Sequence, residues 1–189
     1  MSTSELENLN LSSTINKYDL RDYANNVEDY KKAIELLIKN LNTDDIKLKV
    51  QILGQLGSFN RRINLLEEAT KYFTEAIELV NEHQLDRRFL IANSLRLAHT
   101  YHWQEDYKSA HTLFSEIILI CQSKEEFYIY LDFAYQHFGK CLFDEKNYST
   151  ALNYFQMAME IREEKGDQSL IDSTLIAINA TEEKLSLNS

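Results

Sequence analysis

Apolar residues recur at intervals of three and four along most of the chain, which is the spacing expected on the buried side of an α-helix. The clearest early helix is predicted from Val27 to Leu41. A looser apolar pattern predicts another helix from about Ser13 to Asn26. Residues 1–12 carry few apolar side chains, so they are predicted to form a disordered tail.

Beyond Leu41, the same spacing predicts three pairs of helices followed by one unpaired helix. Asp86 is a side chain suited to cap a helix start, and Gly166 is suited to end the last paired helix. The predicted units span about 13–41, 45–82, 87–122 and 124–165, and the unpaired helix spans 169–185. The sequence therefore predicts a single all-α domain over 13–185, in which the final helix caps the last unit.

A triplet of a large, a small and an aromatic residue returns at a fixed distance along the chain. Its copies are Leu66, Ala69 and Phe73, then Tyr107, Ala110 and Phe114, then Tyr148, Ala151 and Phe155, with a weaker copy at Tyr30, Ala33 and Leu37. The alanines of the three strong copies lie 41 residues apart. A constant period of this length indicates a stacked array of repeats.

The first helix of each predicted pair carries a small residue within a run of large ones. These small residues are Gly57, Ala98 and Gly139. A small side chain lets two helix axes approach closely, and the Phe of the second helix can fill the groove that results. Each pair is therefore predicted to pack through one small residue and one Phe.

These positions resemble the tetratricopeptide repeat family, whose pattern is W-x2-L-G-x2-Y followed by A-x3-F. The resemblance is strongest from Asp45 to Lys165. It implies a right-handed α-solenoid of antiparallel helix pairs. The family's period is about 34 residues, and the seven extra residues here add about two helical turns at ~3.6 residues per turn. Extended units of this kind are similar to those of bacterial signalling-peptide receptors and kinesin light chains, which implies peptide binding.

In this family, first-helix positions line a concave groove, and the matching positions here are rich in basic and aromatic residues. The candidate peptide-binding residues are Arg61, Arg62, Arg96, His99, Trp103, His137 and Lys140. The basic side chains among them predict a groove for an acidic segment or a free C-terminal carboxylate. A second interpretation stays open, in which these side chains are ordinary solvated surface paired with nearby acidic residues.

Composition and motifs exclude several other classes of function. The net charge of −10 argues against nucleic-acid binding. The start of the chain lacks a signal peptide, and no apolar run approaches the ~20 residues of a membrane helix, so a cytoplasmic protein with two reduced cysteines is expected. No nucleophile motif, phosphate loop or metal-ligand spacing occurs, and His99, His102 and His137 lack a completing carboxylate. We expect no enzymatic activity, cofactor or metal.

Two alternative functions remain open from the sequence. The chain could be a regulatory receptor for a short signalling peptide, acting through a change in superhelical pitch. It could also be a self-assembling subunit, because the final helix has more apolar positions than one buried stripe requires. Those positions are Leu170, Ile171, Leu175, Ile176, Ile178, Leu185 and Leu187, and they could form a homodimer contact or pack under the preceding helices.

Overall fold

The computed structural model describes residues 6–187, and residues 1–5 and 188–189 lie outside that range. Eight α-helices lie wholly within it. They are α1 Val27–Lys39, α2 Ile46–Arg62, α3 Leu66–Glu82, α4 Arg87–Trp103, α5 Tyr107–Ser123, α6 Leu131–Asp144, α7 Tyr148–Lys165 and α8 Gln168–Leu187. A 3-10 segment, Glu125–Tyr130, precedes α6, and two short strands, β1 Ser13–Ile15 and β2 Asp22–Ala24, precede α1. The predicted all-α fold of consecutive helix pairs is confirmed.

The chain divides into two compact units. Among the described residues, the first contains the chain up to Thr14 together with Asp22–Gln104, and the second contains Ile15–Arg21 and the chain from Glu105 onward. In the first unit α1 packs on α2, α2 on α3, and α3 on α4. In the second unit α5 packs on α6, α6 on α7, and α7 on the final helix α8.

The predicted contact between a small residue and a Phe is present in both units. A Cβ atom placed on Gly57 would lie 2.6 Å from the ring of Phe73, and one placed on Gly139 would lie 2.6 Å from the ring of Phe155. Both rings are fully buried. Because no side chain fits at that distance, glycine is what allows α2 to approach α3 and α6 to approach α7 so closely.

Each helix pair is joined by a turn whose middle residue has a left-handed backbone. The residues are Asn64, Glu105 and Lys146, with φ values of 62°, 62° and 63°. Their shared spacing follows the repeat, although their side chains have nothing in common. At the end of α7, Gly166 has φ 70° and terminates the helix as predicted.

The helix predicted from Ser13 to Asn26 is wrong, because this segment forms the β1–β2 hairpin. Local side-chain hydrogen bonds account for the difference. Asn16 accepts a hydrogen bond from the Tyr18 N–H and Asp19 accepts one from the Arg21 N–H, which favours a turn over a helix. Leu20, at φ 56°, completes the turn and is fully buried.

The tail predicted over residues 1–12 is described from Leu6 onward, and residues 1–5 lie outside the described range. The Asn10 N–H donates to Asp29 Oδ2 at 3.0 Å, and the Tyr30 hydroxyl donates to the Leu11 carbonyl at 2.7 Å. These bonds hold the segment before β1 against α1.

A buried charge cluster fixes the final helix to the helices before it. Asp132 on α6 pairs with Arg162 Nε at 3.0 Å and with Lys165 Nζ at 2.5 Å, both on α7. Arg162 also donates to the Leu170 carbonyl and to Thr174 Oγ1 on α8, at 3.1 and 2.7 Å. The cap is therefore bound through hydrogen bonds to a buried guanidinium as well as through apolar packing.

The apolar residues that suggested a dimer contact on α8 differ in exposure. Leu175, Ile176 and Leu187 are exposed, whereas the other four are half-buried. Self-association through α8 stays a prediction. Within residues 6–187, no helix is both long enough and apolar enough to span a membrane.

Candidate functional site

Five of the seven predicted binding residues belong to the first unit, at the end of α2 and along α4. Arg61 and Arg62 form the last turn of α2, and Arg96, His99 and Trp103 follow at spacings of three and four on α4. We call the surface formed by these five residues the α2–α4 face. Arg96 is exposed and Arg62 half-buried, but Arg61, His99 and Trp103 are buried, with 6%, 1% and 3% of their surface exposed. The face is thus less open than the predicted groove.

Contacts between side chains hold the α2–α4 face in a defined arrangement. The Arg61 guanidinium lies over the Trp103 ring at 5.5 Å and donates to the Arg96 carbonyl at 3.5 Å. Trp103 Nε1 donates to His99 Nε2 at 2.9 Å, so the ring proton of a neutral His99 lies on Nδ1. Arg61 and Trp103 together therefore form a basic, aromatic surface, and the indole N–H is already bonded to His99.

Strand β2 lies on this face and contributes an acidic and an aromatic side chain. Asp22 Oδ2 accepts a hydrogen bond from Arg62 Nε at 2.9 Å, and both side chains are largely shielded from water. The next residue, Tyr23, lies against Trp103 with ring centroids 5.4 Å apart. The α2–α4 face therefore already holds an extended segment of the chain itself, and the Asp22 carboxylate supplies the negative charge.

The charges on the face depend on Asp22. Burial lowers the pKa of Arg61 to about 10, an effect that Asp22 opposes and that Arg62 and Arg96 increase. At Arg62, burial also acts against the charged form, but Asp22 and Tyr30 together outweigh it and raise the pKa of that guanidinium. Two neighbouring arginines thus share one carboxylate as their counter-charge.

Gly54 allows the two helices of the face to come together. A Cβ atom at this position would lie 2.8 Å from Asn93 Oδ1 and 3.2 Å from Arg96 Nη1. The Arg96 side chain therefore extends across α2 at the position of this glycine. A side chain at position 54 would displace the Asn93 amide and move the end of the Arg96 side chain by a few tenths of an ångström.

The other two predicted binding residues, His137 and Lys140, belong to the second unit. His137 is half-buried and Lys140 is buried on α6. Beside them, the side-chain amide of Gln136 is buried without a hydrogen-bond partner. At the end of α6, Asp144 pairs with Arg21 of the hairpin turn at 3.0 Å.

One cluster in the second unit offers three types of metal ligand. One imidazole nitrogen of His111, the Sγ atom of Cys141 and a carboxylate oxygen of Glu145 all lie within 4.8 Å of one another. Sequence spacing did not reveal the cluster, because His111 is on α5, whereas Cys141 is on α6 and Glu145 caps the end of α6. The one available signal was the i, i+4 spacing of Cys141 and Glu145, which places them on one helix face.

Sequence reasoning also missed Asp22 and Tyr23 as residues of the α2–α4 face. Both were assigned to a helix of loose pattern, in which neither had a predicted partner. The β-branched and aromatic residues Thr14, Ile15 and Tyr23, separated by Asn16 and Asp19, are the signal that would have indicated a hairpin.

Solved structures with a similar fold are known. The chain is similar to BtubC (BKLC) from P. vanneervenii, with a TM-score of 0.64 and 17% sequence identity over 84% of this chain. That match covers 65% of the BtubC chain, so this chain spans slightly less than two thirds of its length. It is also similar to MamA, with a TM-score of 0.44 and 18% identity, over 85% of this chain and 91% of that one. A comparison with curated proteins found no match.

Family comparison identifies the repeat itself. The family model described as Tetratricopeptide repeat matches residues 50–83, which contain most of α2 and all of α3. A second model with the same description matches residues 90–164, from α4 to the end of α7. The two matches cover more than half of the chain, and the helix pairs with their Gly–Phe contacts lie inside them. The chain therefore belongs to the tetratricopeptide repeat family.

Proposed function

We propose that this protein is a scaffold that binds an extended, acidic segment of a partner protein on the α2–α4 face. Tetratricopeptide repeats indicate a protein–protein interaction scaffold. The observation that carries the finer proposal is the position of strand β2, with Asp22 on Arg62 and Tyr23 on Trp103. A face that holds an acidic, aromatic strand of its own chain has the chemistry to hold one from a partner.

The physical basis of binding is a charge-assisted hydrogen bond next to an aromatic contact. A hydrogen bond to a charged group contributes about 1.5–3 kcal/mol, and an aromatic pair adds about 0.5–1.5 kcal/mol beyond its buried area. Arg61 and Arg96 repel cationic segments and attract acidic ones. The proposed ligand is therefore a segment with a carboxylate beside an aromatic ring, which enters as β2 leaves.

The test uses the full-length chain and a labelled peptide that copies residues 19–26. In the variant Asp22→Ala with Tyr23→Ala, the chain's own side chains no longer compete, so we expect the peptide to bind at least tenfold more tightly than to the wild type. Adding Arg62→Glu should reverse that gain, because the carboxylate then meets a like charge. Fluorescence anisotropy measures both affinities.

The matched control is Arg87→Glu, at the exposed start of α4 and away from the face. Arg87→Glu changes the net charge as much as Arg62→Glu does. Added to the variant Asp22→Ala with Tyr23→Ala, it should leave the peptide affinity of that variant nearly unchanged. Equal losses from both substitutions would mean that binding follows net charge. Binding that Arg62→Glu leaves unchanged would refute the α2–α4 face as the binding surface.

We also propose a cytoplasmic location for the scaffold. Cys121 and Cys141 are both free and buried, which suits a reducing compartment. Labelling the thiols in cells lysed directly into denaturant, which exposes both side chains, would test this: two reduced cysteines are expected, and oxidised ones would contradict it.

A further inference from the structure

We infer that His111, Cys141 and Glu145 form a site for a zinc ion in the second unit, held by His111 Nε2, Cys141 Sγ and Glu145 Oε2. The inference does not depend on the proposed scaffold function, because the cluster shares no residue with the α2–α4 face. The ligand set has one nitrogen, one sulfur and one oxygen. This mixture suits Zn²⁺, whereas Mg²⁺ and Ca²⁺ prefer oxygen ligands alone.

The distances within the cluster are close to those that a zinc ion requires. His111 Nε2 lies 2.5 Å from Glu145 Oε2, and Cys141 Sγ lies 4.0 Å from the same oxygen. Ligands at about 2.0–2.3 Å from a tetrahedral zinc ion are roughly 3.3–3.8 Å apart. Binding would therefore need the imidazole and carboxylate to separate by about 1 Å and the sulfur and carboxylate to approach by a few tenths.

The backbone supports two of the three ligands rigidly. Cys141 is on α6 and Glu145, one turn later, is the residue that caps the end of that helix, so the two side chains lie on the same side of it. The His111 ring on α5 is held edge-on against Phe138, with centroids 5.0 Å apart. Cys141 is fully buried, whereas Glu145 is exposed and can change its rotamer. The adjustment that the ion requires can thus be made by the two partly exposed side chains, His111 and Glu145, while Cys141 stays in place.

The site is open on one side. The side chains of His111 and Glu145 are 37% and 27% exposed, so an ion can reach them from solvent and then contact the buried sulfur. Three protein ligands leave a fourth position for a water molecule. In the metal-free protein, the hydrogen bond between His111 and Glu145 keeps the same two atoms together with a proton between them.

Proton balance gives the inference a second readout. The Cys141 thiol must lose its proton to bind zinc, and that proton passes to the buffer. We therefore expect zinc binding to release the Cys141 proton to the buffer.

The experiment titrates the full-length protein, first freed of metal with a chelator, with Co²⁺ and then with Zn²⁺. Cobalt should bind at one equivalent and produce a thiolate-to-cobalt charge-transfer band, which zinc then removes. Cys141→Ser should abolish the band, and His111→Ala and Glu145→Gln should each weaken binding at least tenfold. Calorimetry in buffers of different ionisation enthalpy should report the released proton.

Matched controls separate this site from other thiols and imidazoles. Cys121→Ser removes the other buried thiol, and His83→Ala removes an exposed imidazole on the first unit. Both variants should keep the band and the affinity. Circular dichroism shows whether each variant is folded. If a variant does not fold, the titration of the wild-type protein still decides the question.

Several results would overturn the inference. One is the absence of a charge-transfer band when protein and cobalt are each present at about 0.1 mM, a concentration far above the dissociation constant expected for a preformed metal site. Another is a band that Cys121→Ser removes as completely as Cys141→Ser does. In either case, His111 and Glu145 form a hydrogen-bonded pair at the surface and Cys141 is a core thiol.

Discussion

Replacing Asp132 with asparagine tests how strongly the buried charge cluster holds the final helix. Asp132 is fully buried and Arg162 is 2% exposed, whereas Lys165 is 29% exposed. The substitution keeps the shape of the side chain but removes the charge. Lys165 can then turn toward water, but Arg162 stays buried with only neutral acceptors on α8.

The expected loss of stability follows from that difference between the two cations. Breaking a buried ion pair by removing one partner costs about 3–5 kcal/mol. Burial already lowers the pKa of Arg162, and Asp132 is the main influence that opposes the effect. For a chain of this size, each kcal/mol corresponds to about 2–4 °C in melting temperature, so the variant should melt about 6–20 °C lower.

Urea unfolding followed by helical circular dichroism measures the change. The control is Asp44→Asn, an exposed residue between α1 and α2, which should stay within about 0.5 kcal/mol of the wild type. The double variant Asp132→Leu with Arg162→Met removes both charges, and it should recover most of the lost stability. A loss below about 1 kcal/mol for Asp132→Asn, or a double variant as unstable as the single one, would refute the reasoning.

Three further variants test other features of the fold. Gly139→Ala places a methyl group 2.6 Å from Phe155, so we expect a net loss of about 1–2 kcal/mol by thermal melting despite the better helix propensity of alanine. Lys146→Gly should raise stability by about 0.5–1 kcal/mol, because glycine takes the left-handed turn without steric cost; a lower melting temperature would contradict this. Burial raises the pKa of the Cys121 thiol from 9.0 to about 11. In the variant Cys141→Ser, Cys121 is the one remaining thiol, and at pH 8 a thiol reagent should react with it about 100-fold more slowly in the folded protein than in urea. The pKa of Cys121 is higher in the folded than in the unfolded protein. The protonated thiol therefore contributes stability that is fully present below pH 9.0 and is lost as the pH rises toward about 11.

The helix pairs were predictable because each depends on few residues at fixed positions. Gly57 with Phe73 and Gly139 with Phe155 are visible in the sequence, and their contacts decide how two helices meet. The turn residues illustrate the opposite case. Asn64, Glu105 and Lys146 share one backbone conformation, yet Glu and Lys carry no sign of it, because neither residue type favours a positive φ.

The candidate site was harder to predict because its residues depart from ordinary preferences. Arginine is rarely buried, so nothing in the sequence indicated that Arg61 would lie under Trp103. The hairpin was missed because short strands with local Asn and Asp bonds leave only a weak apolar pattern. His111 and Cys141 are 30 residues apart, and only the packing of α5 on α6 brings them together.

Trp103 gives the α2–α4 face an optical property of its own. It is the single tryptophan of the chain, it is buried, and the Tyr23 ring lies against it. Its emission should therefore shift to longer wavelength whenever water replaces Tyr23, without any added dye. Exchange between the hairpin and an incoming ligand could then be followed in real time by stopped-flow fluorescence of the native protein.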